Sequence, residues 1–162
     1  MMQKIKFDKK FSTEFITSLR NAVEEYFKKN NLSKHGNYNM VLKTIFMLAL
    51  FFIPYGFIIS GHFQFGYVLI LLWITMGFGL AGIGLSIMHD GNHGSYSKYK
   101  IINTLMGMTL NMVGGSSKNW KIQHNRMHHT FTNVHDMDPD VGSGQPMLRF
   151  SPQAKKYWFL VQ

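Results

Sequence analysis

The chain has 162 residues, with 17 Lys and Arg against 8 Asp and Glu, a formal charge of +9, 46% apolar residues and only 15% charged ones. A globular domain averages about 25% charged residues, so an ordinary soluble single domain is disfavoured. Cysteine is absent, which excludes a disulfide scaffold, a thiolate zinc site, an iron–sulfur cluster and a cysteine nucleophile.

The first 39 residues are polar and charged, with no short apolar region of the kind that opens a secretory signal. Within them, Phe11, Phe15, Ile16, Leu19, Val23, Tyr26 and Phe27 recur at helical spacing over residues 8–29, with Ser12 or Thr13 as N-cap. This amphipathic helix either lies on a membrane surface or packs on its own protein. Residues 31–39 read as a turn. The His35-Gly36 step is not the His-Pro-Gly-Gly signature of a fused cytochrome b5 domain.

Two long apolar runs follow, about 41–60 and 66–88. The first holds Pro54. The second carries no charge and has glycines at 77, 79, 82 and 84, which would admit a neighbouring helix closely. Each run is long enough, at about 1.5 Å per residue, to cross a hydrocarbon core of about 30 Å. The expected fold is an all-α integral membrane protein: residues 1–39 form an N-terminal segment, and residues 40–162 hold one transmembrane hairpin and interfacial helices. Lys and Arg are missing from residue 44 to residue 97. By the positive-inside rule both ends of the hairpin then face the cytoplasm. Residues 101–113 are apolar but too short to span and read as an interfacial helix ended by Gly114-Gly115.

Five of the eight histidines fall between residues 89 and 129. His89 and His93 are four apart immediately after the second run, and His124 and His128 repeat that spacing with His129 adjacent. On a helix, residues four apart share a face, and neutral imidazoles bind zinc, copper, iron or nickel. No glutamate follows Glu25, which disfavours a His-Glu-x-x-His zinc hydrolase and a Glu-x-x-His di-iron bundle. A nitrogen-rich site for redox-active iron is the expected chemistry. His35, His62 and His135 belong to neither group.

The segments MHDGNHGSYS and NWKIQHNRMHHTFTN, with their distance from the hairpin, resemble the membrane fatty acid desaturases, in particular the linoleoyl-CoA and front-end branch. The resemblance covers about residues 40–150. It implies a di-iron enzyme that uses O2 and two electrons to place a cis double bond in an acyl chain, with His89, His93, His124, His128 and His129 as iron ligands. Asp90 would then orient a ligating imidazole, or else be a solvated helix-end carboxylate. Asn92 and Asn125 would either support the same shell or serve as caps. Trp120 would line the acyl channel or anchor at the interface. Asp136, Asp138 and Asp140 resemble the family's acidic stretch after its second box and read as a solvated loop rather than as ligands.

The resemblance also implies a separate electron donor, ferredoxin or cytochrome b5, an acyl substrate on CoA, a carrier protein or a lipid, contact with membrane lipids, and no nucleic-acid partner. The family's third box, Gln-x-x-His-His, has no counterpart in these 162 residues. The sequence therefore reads as an N-terminal fragment expected to be inactive alone. Two other readings remain open at this stage: an alkane or carotenoid hydroxylase with the same boxes, and a non-catalytic metal-binding membrane protein.

Overall fold

The computed structural model describes residues 13–134 and 136–141. Within them every regular element is helical. Helix α1, Thr13–Lys29, ends with Lys28 and Lys29 in its last turn, where positive charge opposes the helix dipole, and buries none of its residues. Its apolar stripe of Phe15, Ile16, Leu19, Val23 and Tyr26 is exposed, so the alternative that this face packs on the described part of the protein is set aside. Of the expected helix, residues 8–12 lie outside the described residues.

Helix α2, Tyr38–Ser60, starts where the Asn37 side chain accepts the Met40 N–H and stops at Gly61 in the left-handed conformation, φ 65°. Pro54 lies inside it and is buried. Helix α3 runs over the 28 residues Gly66–His93, and both helices are long and apolar enough to cross a membrane. They pack as an antiparallel hairpin through the predicted glycines, but only two of the four serve. A methyl group on Gly79 would lie 2.5 Å from the Phe51 backbone nitrogen, and one on Gly82 would run into the Met47 side chain. Gly77 and Gly84 face open space.

Helix α3 is not uniform. Ile83–Ile87 is π-helical, closed by the Met88 N–H donating to the Ile83 carbonyl. Among the described residues, Ile83 and Ile87 from this stretch form a small buried core with Met88 and Tyr96. This core brackets box one, with Met88 just before His89 and Tyr96 just after His93. Fully burying two isoleucines is worth about 1.5–3 kcal/mol each, and that energy is placed where α3 must hold its histidines. Helix α4, Lys100–Met112, packs against the end of α3 at Gly91 and Gly107. A Cβ on Gly91 would stand 2.5 Å from the Gly107 nitrogen, and one on Gly107 would strike the Asn92 side chain. Gly114, at φ 92°, follows α4 as expected.

Helix α5 occupies residues 117–131. It begins as Ser117–Trp120, capped by the Ser116 hydroxyl accepting from the Asn119 N–H, continues π-helical over Lys121–His128, and closes with His129–Phe131.

These contacts predict different fates for two glycines of one helix. Gly79→Ala forces a methyl into the α2 backbone and should destabilise the hairpin by about 1–3 kcal/mol. Gly84→Ala meets open space and should be neutral or slightly stabilising. Thermal unfolding of both variants in detergent checks this, and equal midpoints would refute the packing.

Candidate metal centre

Box one is set by how α3 ends. Gly94 takes a left-handed conformation, φ 74°, and its N–H returns to the helix. The Asp90 carbonyl then accepts the Ser95 and Tyr96 N–H groups at 3.0 and 3.3 Å. Tyr96 ties this turn to α2. The Thr44 hydroxyl donates to the Met40 carbonyl at 2.9 Å, so its single proton is used and the Tyr96 hydroxyl donates to Thr44 at 2.8 Å. His89 and His93 thus stay on ordinary α-helix, with ring centroids 4.5 Å apart.

Box two departs from the expected α-helical spacing. In an α-helix of about 3.6 residues per turn, a residue five positions on lies about 140° round the axis. Here the His129 N–H donates to the His124 carbonyl, five residues back. That wider turn returns His129 to the face of His124, with ring centroids 4.9 Å apart. His128 remains there too, stacked on His124 at 5.0 Å. One widened helix therefore presents three imidazoles where an α-helix presents two.

The two boxes meet. The Nε2 atoms of His93 and His129 are 3.4 Å apart, and His89, His93 and His124 bring donor nitrogens within 4.8 Å of one another. The Asn125 side-chain amide donates to the Asn92 carbonyl at 3.0 Å, fastening α5 to α3. Both asparagine Oδ1 atoms are buried without a hydrogen-bond partner. Trp120 stacks on His124 at 4.3 Å and lies 5.6 and 5.5 Å from His89 and His93. Its indole walls the imidazole cluster.

The opposite nitrogens are held by carboxylates. His89 Nδ1 is 3.2 Å from Asp90, His124 Nδ1 is 2.6 Å from Asp140, and His128 Nδ1 is 2.9 and 3.0 Å from the two oxygens of Asp138. A carboxylate can only accept, so each of these Nδ1 atoms carries a proton, and Nε2 is the ring nitrogen left facing away from the carboxylates. The expectation of a solvated acidic loop is corrected here for Asp138, which is 4% exposed. It also accepts the backbone N–H groups of Asn133 and Asp140, at 2.8 and 3.0 Å. Positive φ at Asn133 and Asp136, 64° and 63°, turns the chain back to make this possible. Asp136 itself is exposed.

Electrostatics follow the same pattern. Burial raises the Asp138 carboxyl, but hydrogen bonds from His128 and from the Asn133 and Asp140 amides outweigh it and hold the group below its ordinary value of 3.8.

The donor set fits a nitrogen-ligated transition metal. Two nitrogens each about 2.1 Å from one ion are about 3.0–3.4 Å apart at octahedral to tetrahedral angles, and His93 and His129 already stand at 3.4 Å. A second group, His124, His128 and Asp140, is knit by the Nδ1–carboxylate contacts, at 2.6 and 3.7 Å, and reads as support rather than as a second site.

The fatty acid desaturase family profile matches residues 65–162. The chain belongs to the fatty acid desaturase family. It is 37% identical over 148 residues to an sn-1 linoleoyl-lipid 6-desaturase of Arthrospira platensis, covering 91% of this chain and 40% of that protein. It is 40% identical to an acyl-lipid (8-3)-desaturase of Physcomitrium patens, over 84% of this chain and 28% of that one. A Synechocystis sn-1 linoleoyl-lipid 6-desaturase is 33% identical, over 93% and 41%. The chain thus spans well under half the length of these relatives. No solved structure matches it.

Sequence reasoning brought together the five histidines and missed Asp138 and Asp140. Their signal was scarcity: in a chain with eight acidic residues, three aspartates at alternate positions just after box two are an unusual concentration. Asp138→Ala should speed amide exchange at Asn133 and Asp140 at least tenfold while α2 amides keep their protection. Unchanged protection would show that the loop is held by something other than this carboxylate.

Proposed function

We propose that the chain contributes His89, His93, His124, His128 and His129 to the di-iron centre of a membrane acyl desaturase, which removes one hydrogen from each of two adjacent methylenes with O2, two electrons from a separate donor and two protons from solvent, and releases two waters. The observation that supports this best is the meeting of the two boxes Nε2 to Nε2 while aspartates hold Nδ1. That arrangement offers fixed imidazoles on one side and carboxylates on the other.

Iron held by these residues would supply the redox chemistry with oxygen that no side chain provides. The residues' own work is narrower. Asp90, Asp138 and Asp140 fix tautomers and stop ring rotation. The Asn125–Asn92 bond keeps the boxes in register, and Trp120 covers one wall of the cluster and excludes water from it.

The names of the relatives speak of acyl-lipids, and an acyl chain attached to a lipid is the substrate we infer. Its methylenes lie in the bilayer, beside helices long enough to span it. The charge distribution supports a hairpin whose two ends both face the cytoplasm, where ferredoxin or cytochrome b5 can dock.

Two measurements test this reading. His128→Ala should lower iron content at least tenfold, while His62→Ala, in the turn at the far end of the hairpin, should leave it unchanged. Equal iron in both variants sinks the ligand assignment. The chain has no cysteine, so single cysteines report topology cleanly: Lys118→Cys should react with an impermeant maleimide only from the cytoplasmic side and Gln64→Cys only from the other. Labelling of both from one side would overturn the hairpin orientation.

A further inference from the structure

Beside box one opens a cleft of about 310 Å³ whose lining includes His35, His93, Ser97, Lys98, Lys100 and Lys121 and no carboxylate. The basic groups come from four separate parts of the chain. His35 lies in the linker between α1 and α2, Lys98 in the loop after box one, Lys100 at the start of α4, and Lys121 at the start of the π-helical stretch of α5.

Specific bonds hold that convergence. The Gly36 N–H donates to the Tyr96 carbonyl at 3.1 Å, and a Cβ at Gly36 would stand 2.9 Å from that oxygen, so the linker bearing His35 is pressed onto the loop. The Asn103 side chain accepts the Ser97 N–H at 2.7 Å and donates to the Gly94 and Ser97 carbonyls at 3.1 and 2.7 Å, which fixes the loop bearing Lys98 on α4.

Among the described residues, ion pairs engage Lys34 with Glu24 and tie histidines to aspartates, but none involves Lys98, Lys100 or Lys121. Three ammonium groups around a small cleft repel one another unless an anion joins them. The N-terminus of α4 opens at the same place, and its cap residue Tyr99 supplies no side-chain cap, so the helix dipole adds to the positive potential. The volume is at the lower end for ligand sites and suits a head group rather than an acyl chain.

We propose that this cleft seats the phosphate ester of a lipid head group, the polar end of the molecule whose acyl chain enters the histidine cluster. His93 belongs to both, as a wall of the cleft and as a member of the cluster, so a phosphate bound here brings the ester end of the lipid next to the metal centre. The link to an acyl substrate rests on the desaturase reading; the binding of a phosphate ester does not.

The test uses the 162-residue chain in dodecyl maltoside, a phosphate-free detergent, titrated calorimetrically with dihexanoyl phosphatidylglycerol, inorganic phosphate and uncharged dihexanoylglycerol. The triple variant Lys98→Gln, Lys100→Gln, Lys121→Gln should bind the phosphatidylglycerol at least tenfold more weakly than the wild type. A control that loses the same charge from α1, Arg20→Gln, Lys28→Gln, Lys29→Gln, should bind normally. Circular dichroism verifies the fold, and Lys98→Gln alone, expected to weaken binding about threefold, replaces the triple variant if that unfolds.

Equal affinity in cleft variant and wild type, or an equal loss in the α1 control, overturns the site. Inorganic phosphate binding as tightly as the lipid overturns the lipid as its source, and equal binding of dihexanoylglycerol overturns the phosphate. Iron content is measured on the same samples. Lysine-dependent lipid binding in protein that takes up no iron would refute the desaturase reading and leave the cleft standing.

Discussion

A ligating imidazole must be fixed in one orientation and unable to turn away, and aspartates impose that condition on three of the five clustered histidines. Asp90, Asp138 and Asp140 each accept a hydrogen bond from an Nδ1–H, which leaves Nε2 as the nitrogen each ring turns away from the carboxylates. The consequences extend past the rings. Asp138 is buried, and a buried carboxylate is tolerable only with its acceptors filled. The Asn133 and Asp140 amides fill them, and the left-handed backbone at Asn133 and Asp136 exists to bring those amides round.

The second constraint is the width of the helix. Three imidazoles on one face cannot come from residues 124, 128 and 129 of a regular α-helix, because the last would point elsewhere. The π-helical stretch solves this at the cost of poorer backbone geometry. The neighbours absorb that cost: Trp120 stacks on His124, and Asn125 anchors to the end of α3. The same device precedes box one, where Ile83–Ile87 widens α3 and its two isoleucines make the best-buried apolar contacts of the described chain.

Much of this was legible in the sequence. The hairpin, the short helix before Gly114-Gly115 and the paired histidines follow from apolar length, helical period and spacing, which depend on local chemistry. What escaped depends on tertiary partners. No local pattern says that residues 121–128 widen, since the preference arises only when His129 is drawn towards His93. The role of Asp138 escaped for a similar reason, because an aspartate in a Pro-containing polar stretch reads as solvated unless its partner ten residues back is known. The glycines show the limit within one motif: four share a helix, but only Gly79 and Gly82 face α2, a choice set by the crossing point.

The distribution of burial explains how membrane and site are joined. The apolar windows of α2 and α3 are each only 11% buried, so beyond their close contacts at Gly79 and Gly82 these helices leave most of their apolar surface uncovered and need an apolar surrounding of lipid or further protein. The described residues concentrate their buried apolar core at one level, where Ile83, Ile87, Met88 and Tyr96 meet α2 and α4. Box one begins at the next residue after Met88. A hairpin free to tilt in a bilayer would otherwise carry its histidines with it. The Thr44–Tyr96 hydroxyl pair and the Gly91–Gly107 contact lock the end of α3 to both neighbours, so the part of the molecule that meets lipid can adjust while the imidazoles keep their spacing. The basic cleft is built on the same locked end, through Gly36 on Tyr96 and Asn103 on Ser97. A head group bound there would therefore be held at a fixed distance from the histidines rather than from the membrane surface.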